Sequence, residues 1–371
     1  MRAINELVQG ALDHRGNLEN IKKVMRDGEQ GKQLTLGFIG GSITQGSLAS
    51  SSRNCYAYLV SQWWINKFNK ASVKYINAGI GATTSHFGCG RIEKDLLRFQ
   101  PDIVIVDFSV NDKPDTFYEE TFEGLIRKIL NYNIETGIII LNHVNYANGE
   151  NSQIIHNKIA KHYGITCISL KNSLYHCVKL GLLLKEDITP DDLHPNDMGH
   201  KLISDIVNGV LEHIYLERNI REKKLDLPKP LTKNVYEKAT IYQNSDSNFI
   251  TKGFVCDQTI KEDLRDIFKL GWYGENEGDT LTFYLEGSEI AIQYRKTIQK
   301  PAPKAKVFIN EDETDIILDA NFEESWGDCL YTQPIIIHGA YQIYHIKIQI
   351  VESSKDIKLP FYISSIITSH E

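Results

Sequence analysis

Past residue 233 the hydrophobic period of the chain changes, and this change limits the fold more than any other feature of the sequence. Before it, short apolar runs at 34–40, 73–77, 102–109, 137–142 and 165–170 alternate with helical patterns near 54–70, 90–98, 119–135, 151–163 and 197–217. After it the period is two. Tyr344, Ile346, Ile348 and Ile350 point one way while His345, Lys347 and Gln349 point the other; Leu281, Phe283 and Leu285 repeat the pattern, as do Val307 and Ile309. Alternating strands and helices imply a parallel sheet with right-handed crossovers. The run 102–109 is apolar almost throughout, as a strand covered on both faces must be. Period-two strands between Gly, Asn and Asp turns imply an antiparallel β-sandwich. The charged stretch 218–233, with Pro228 and Pro230, reads as a linker. The expected organisation is an α/β domain over 1–217, the linker, and a β-sandwich over 234–371, which suits a chain of 371 residues.

Charge and cysteine usage narrow the setting. Against 48 Asp+Glu stand 41 Lys+Arg, a net charge of −7 with no basic block, so neither nucleic acid nor an anionic membrane is the expected partner. No apolar run approaches the ~20 residues of a membrane-spanning helix, and the first ten residues lack the apolar core of a signal peptide. Cys55, Cys89, Cys167, Cys177, Cys256 and Cys329 are scattered, without a Cys-x-x-Cys, which fits free thiols in a reducing compartment. A cytoplasmic, soluble protein with no metal or other cofactor is expected. The oligomeric state stays open, a homo-oligomer included.

Four segments at the ends of the expected strands carry chemistry. In 37–44 a glycine-flanked serine, Ser42, follows the first strand. A strand-to-helix turn of this kind raises the hydroxyl at the sheet's carboxyl edge, where open α/β sheets bind ligands. The loop 189–200 holds His194 with Asp191 three residues earlier and Asp192 two residues earlier. A serine hydroxyl needs such a base, and the base needs a carboxylate on its other ring nitrogen. Asp191 has the better spacing. Asn111, ending the most hydrophobic strand, offers a side-chain amide to a developing oxyanion. The small-residue turn 77–85 offers a backbone N–H to the same place. Asn196, directly after Pro195, is the expected N-cap of the last helix of the domain.

Taken in order, Gly-Gly-Ser-Ile-Thr, Asn-Ala-Gly-Ile-Gly-Ala, Ser-Val-Asn-Asp and Asp-Asp-Leu-His-Pro resemble the sequence blocks of the SGNH (GDSL-type) hydrolases over about residues 30–217. The resemblance implies a flavodoxin-like, three-layer α/β/α domain in which Ser42 is the nucleophile, His194 the base and Asp191 its orienting acid. It also implies an oxyanion hole built from the N–H groups of Ser42 and Ala82 and the amide of Asn111, with Gly81 an alternative to Ala82. The sequence departs from the family at three places. Gly41 replaces the usual aspartate before the serine, Ala82 stands at a common glycine, and Ser109 stands at another.

With a jelly-roll-like sandwich behind it, the chain is similar to two-domain bacterial carbohydrate O-acetylesterases. The resemblance implies removal of acetyl groups from plant-derived oligosaccharides, acetylated mannan or glucomannan above all, with the second domain similar to a carbohydrate-binding module. Trp326, His143, Asn145, Arg53 and Asn54 are the candidate sugar contacts; Tyr56 and Tyr58 read as core residues at helical spacing. The competing readings are an esterase or thioesterase acting on another small acyl substrate, acetylated xylo-oligosaccharides included, and a carbohydrate-binding protein without catalysis.

Overall fold

The computed structural model describes residues 2–246, 248–354 and 358–371. The chain forms two compact units, one of residues 1–88 and 92–234 and the other of residues 89–91 and 235–371.

The first unit is built on one sheet. Its strands are β1 (Leu12–His14), β2 (Leu34–Gly40), β3 (Val73–Gly79), β4 (Ile103–Asp107), β5 (Gly137–Asn142) and β6 (Thr166–Ser169), in the order β1-β6-β5-β4-β2-β3. Strands β2 to β6 pair in parallel and β1 is antiparallel at the edge. The parallel order matches the flavodoxin-like arrangement, which reverses direction at β2 and β4. Every residue of β2, β4 and β5 is buried. On one face Phe38, Ile105 and Ile139 join a core with Ile21, Val60, Trp64 and Ile203, from the helices Glu19–Glu29, Tyr56–Lys67 and Asp197–Leu216. The alternate residues Ile39, Val104, Val106, Ile138 and Ile140 are buried as well, with the helices Thr116–Tyr132 and Gln153–Tyr163 on their side of the sheet. Burial on both faces explains the missing period of two in these strands.

The sequence reading overlooked β1 and the helices Arg2–Ala11 and Glu19–Glu29. The second of these is highly charged, yet Glu19 and Lys22 are buried. Their charges are answered from 218–233, which is laid along the first unit. Glu222 accepts from Lys22 Nζ (2.6 Å), Arg15 Nη2 (2.9 Å) and the Leu18 N–H (3.2 Å). Burial would raise the Glu222 carboxyl, but the Arg15 and Lys22 bonds outweigh it and hold it down at about 2. Glu19 binds Arg26 (2.6 Å) and Arg221 (2.9 Å).

The second unit is a two-sheet antiparallel sandwich. Its strands are β7 (Thr240–Tyr242), β8 (Phe249–Lys252), β9 (Val255–Cys256), β10 (Trp272–Gly274), β11 (Thr280–Gly287), β12 (Glu289–Lys296), β13 (Lys304–Ile309), β14 (Asp312–Asp319), β15 (Cys329–Ile336), β16 (Gln342–Glu352) and β17 (Phe361–Ser369). One sheet runs β15-β12-β17-β10-β9, with β7 also on β17, and the other β14-β13-β16-β11-β8. The expected alternation appears here: Leu281, Phe283 and Leu285 are buried while Tyr284 is exposed, opposite Tyr344, Ile346 and Ile348, which are buried too. Trp272 fills the centre, edge-on to Phe283 at 5.1 Å.

Candidate active site

Strand β2 ends at Gly40 and the chain turns at Gly41 into the short helix Ser42–Gln45. Both glycines are demanded by close approach. A Cβ on Gly40 would fall 2.4 Å from Thr44 Oγ1 and 2.5 Å from the Asp107 carbonyl oxygen. On Gly41 it would fall 2.2 Å from Asn111 Oδ1. The aspartate usual before the serine is thus absent where the side chain of Asn111, from the end of β4, takes the space.

The three residues expected to act together do meet. Ser42 Oγ lies 2.8 Å from His194 Nε2, and His194 Nδ1 lies 2.7 Å from Asp191 Oδ2. Asp191 Oδ1 accepts the N–H groups of His194 (2.7 Å) and Leu193 (3.0 Å), so the carboxylate is fixed by the loop it orients. Partial burial raises its pKa, but the hydrogen bonds from the His194 ring and these two N–H groups prevail and hold it below the usual carboxylate range. A carboxylate that stays ionised can hold Nδ1–H and leave Nε2 as the acceptor facing the serine. Asp192 turns away through a left-handed backbone (φ 65°) and pairs with Lys185 at 2.6 Å. The loop is closed by the Asn196 N–H on the Ile188 carbonyl (2.9 Å). Asn196 caps the helix Asp197–Leu216 as expected, accepting from the Gly199 N–H at 3.0 Å.

The turn after β3 sits against the nucleophile: a Cβ on Gly81 would lie 3.7 Å from Ser42 Cβ. The Gly81 N–H is already taken by Gln45 Oε1 at 2.6 Å. Ala82, the other backbone donor the sequence left open, adopts φ 55°.

The other sequence candidates are placed differently. His143 is buried, with its Nε2 3.4 Å from Asp107 Oδ2 and without a hydrogen-bond partner. Burial, with His200 nearby, pushes its pKa down to about 3. Asn54 spends its amide on Asp197 Oδ2 and Ser50 Oγ, both at 2.9 Å, tying the loop after the nucleophile to the helix after His194. Asn145 Oδ1 closes its own turn on the Ala147 N–H at 2.8 Å. Arg53 is exposed. Trp326, in the second unit, is 58% exposed, with Phe322 edge-on at 4.9 Å. Tyr56 is a core residue as read, its hydroxyl 2.8 Å from Thr44 Oγ1, and Tyr58 is half-buried. Among the described residues, no group of three or more His, Cys, Asp or Glu is placed to hold a metal ion.

Sequence reasoning missed Asp107, which supports the nucleophile's helix from below by accepting Thr44 Oγ1–H at 2.8 Å. A carboxylate inside a strand buried on both faces was its signal. Burial pushes the Asp107 pKa up to about 7, against the Thr44 bond and with help from the Asp112 charge. An unfolded chain releases this proton near ~3.9. Between the two values the folded state binds more protons, so the group's stabilising effect is complete below about pH 4 and is lost as pH rises through about 7. Asp107→Asn is expected to flatten this fall. Thermal midpoints at pH 5 and pH 8 check it, and an equal drop in wild type and variant refutes it.

Comparison with known proteins gives two findings. Residues 38–202 match the GDSL-like lipase/acylhydrolase family. Among solved structures, a two-domain esterase active on acetylated mannans is 42% identical with a TM-score of 0.95, covering 98% of this chain and 98% of that one. The same values hold for that esterase co-crystallised with mannopentaose. A search of curated proteins gives no match.

Proposed function

The chain belongs to the GDSL-like lipase/acylhydrolase family, and from that premise we propose that it is a serine esterase removing O-acetyl groups from mannan-derived oligosaccharides. The observation that carries the chemistry is the line from Ser42 Oγ through the His194 ring to Asp191, at 2.8 and 2.7 Å. The substrate is supported by 42% identity, over nearly the whole of both chains, to an esterase active on acetylated mannans.

Ser42 Oγ attacks the acetyl carbonyl carbon as its proton passes to His194 Nε2. The negative charge that develops on the carbonyl oxygen is met by the N–H groups of Ser42 and Ala82 and by the Asn111 amide. Donors held in place before the reaction stabilise that charge without the cost of reorganisation. His194 then returns the proton to the departing sugar hydroxyl, leaving an acetyl ester on Ser42. A water molecule, deprotonated by the same nitrogen, attacks that ester; acetate leaves and Oγ regains its proton. Asp191 stays ionised throughout and steadies the imidazolium that forms twice per cycle. Trp326 supplies an exposed ring on which the apolar face of a sugar can stack.

Acetate release from acetylated manno-oligosaccharides and xylo-oligosaccharides, measured side by side, tests this reading. Faster release from the mannan series is expected, with KM for that series raised in Trp326→Ala. Equal rates on both sugars would remove the mannan assignment, and an unaltered KM would remove the role of Trp326.

A further inference from the structure

Ala82 and Asn111 come from the loops after different strands, β3 and β4, yet to act on one oxygen atom both must be held to within about half an ångström of the productive geometry. One carboxylate joins the two loops. Asp112, next to Asn111, accepts through Oδ1 the N–H of Ser85, three residues beyond Ala82, at 2.9 Å. Its other oxygen, Oδ2, faces His156 Nε2 at 3.2 Å.

His156 is in turn locked on every side. Its Nδ1 lies 3.1 Å from Asn142 Oδ1, at the end of β5. Its ring stacks on Phe122 with centroids 3.6 Å apart and planes 14° from parallel. Asn142 spends its Nδ2 on Asn157 Oδ1 and Cys167 Sγ, both at 3.0 Å. The Asp112 carbonyl accepts from Ser152 Oγ, and the Ser152 N–H donates to the Ser109 carbonyl at 2.7 Å. His156 and Asp112 are both buried, and neither has a hydrogen bond to Ser42, His194 or Asp191. A buried carboxylate–imidazole pair is a weak device for stability, since an apolar pair of the same volume often does as well. What it adds is direction: it fixes the carboxylate that spaces the two donor loops.

We propose that His156 is a positioning residue for the oxyanion hole, acting through Asp112 on the distance between the Ala82 N–H and the Asn111 amide. This rests on the oxyanion-hole reading given above. Without His156, Asp112 is free to turn, and the Ser85 tie no longer fixes the turn after β3 relative to β4. Substrate binding does not use the hole fully; the transition state does.

The test compares His156→Leu, His156→Gln and Asn111→Ala in acetate release from acetylated manno-oligosaccharides. Inactivation by a phosphonate ester, which places an oxyanion in the hole, and binding of mannopentaose are measured alongside. Glutamine keeps an N–H donor near the place of Nε2; leucine does not. For His156→Leu, kcat is expected to fall about 10- to 100-fold, as for an ångström-scale misplacement. Phosphonate inactivation should slow by a similar factor, while KM and mannopentaose binding stay near wild type. His156→Gln should recover most of the rate. A folded leucine variant with wild-type kcat overturns the inference, as does a glutamine variant no better than leucine. Should leucine fail to fold, His156→Asn, whose short amide cannot reach Asp112, takes its place under the same criteria. An impaired Asn111→Ala beside an intact His156→Leu defeats the inference alone. Wild-type turnover in Asn111→Ala defeats the oxyanion-hole reading and the inference with it.

Discussion

Alanine at His194 is expected to lower kcat on acetylated manno-oligosaccharides by about 10⁴- to 10⁶-fold, with Ser42→Ala costing about as much and the double variant no more than either. The reason is geometric. The base in reach of the Ser42 hydroxyl is His194 Nε2, at 2.8 Å. Without that ring the serine proton has no acceptor as the carbonyl is attacked, and no acid protonates the departing sugar. Without the serine, the base has no nucleophile to activate. Each loss removes the acyl-enzyme route, so their effects do not add. The remaining rate comes from the oxyanion donors and from substrate binding. His194 stands on a loop with its side chain 24% exposed, so its removal leaves no cavity in the core. A thermal midpoint close to wild type should therefore accompany the kinetic loss. Steady-state kcat for both single variants and the double variant checks this. A drop of less than tenfold in His194→Ala, or a double variant far below either single, contradicts a shared route.

The parts of this site that were legible in the sequence are the local ones. Asp191 and His194 are three residues apart and meet through bonds within one loop, so their spacing was enough to pair them. The same spacing argument preferred Asp191 over Asp192, and the left-handed backbone at 192 supplies the physical reason. What bears on Gly81 against Ala82 is Gln45, which takes the Gly81 N–H from 36 residues away in the chain. No reading of the turn alone contains that bond. The surroundings of His143 and Asn54 are set at long range too: His143 follows β5 in sequence but its ring is buried, and the amide of Asn54 is spent on Asp197, 143 residues away. On the scale of the fold, strands buried on both faces announced themselves by unbroken apolar runs. The helix Glu19–Glu29 did not, because its buried charges are matched by Arg221 and Glu222, some 200 residues later. A short-range hydrophobic pattern carries no trace of an ion pair closed at that separation.

Asp191→Asn separates an orienting carboxylate from a merely acidic loop, and its expected cost is about 10³- to 10⁴-fold in kcat. The asparagine oxygen can keep the His194 and Leu193 N–H groups that Asp191 Oδ1 accepts at 2.7 and 3.0 Å, so the loop should hold its shape. The change falls on the other atom. An NH₂ replaces Oδ2, 2.7 Å from His194 Nδ1, and it donates where the carboxylate accepted. The neutral ring then carries its hydrogen on Nε2, facing Ser42, and cannot take the serine's proton. Asp192→Asn is the control. That carboxylate pairs at 2.6 Å with Lys185, both side chains about a third exposed, and does not touch the ring. Exposed pairs of this kind contribute little to stability, so its kcat should stay within a few-fold of wild type. Measured in parallel, the two substitutions remove the same charge from adjacent residues and differ only in which nitrogen the carboxylate faces. Equal losses would mean that the loop's charge, and not the Asp191–His194 contact, supports the reaction. A larger loss at Asp192 would reassign the orienting role outright.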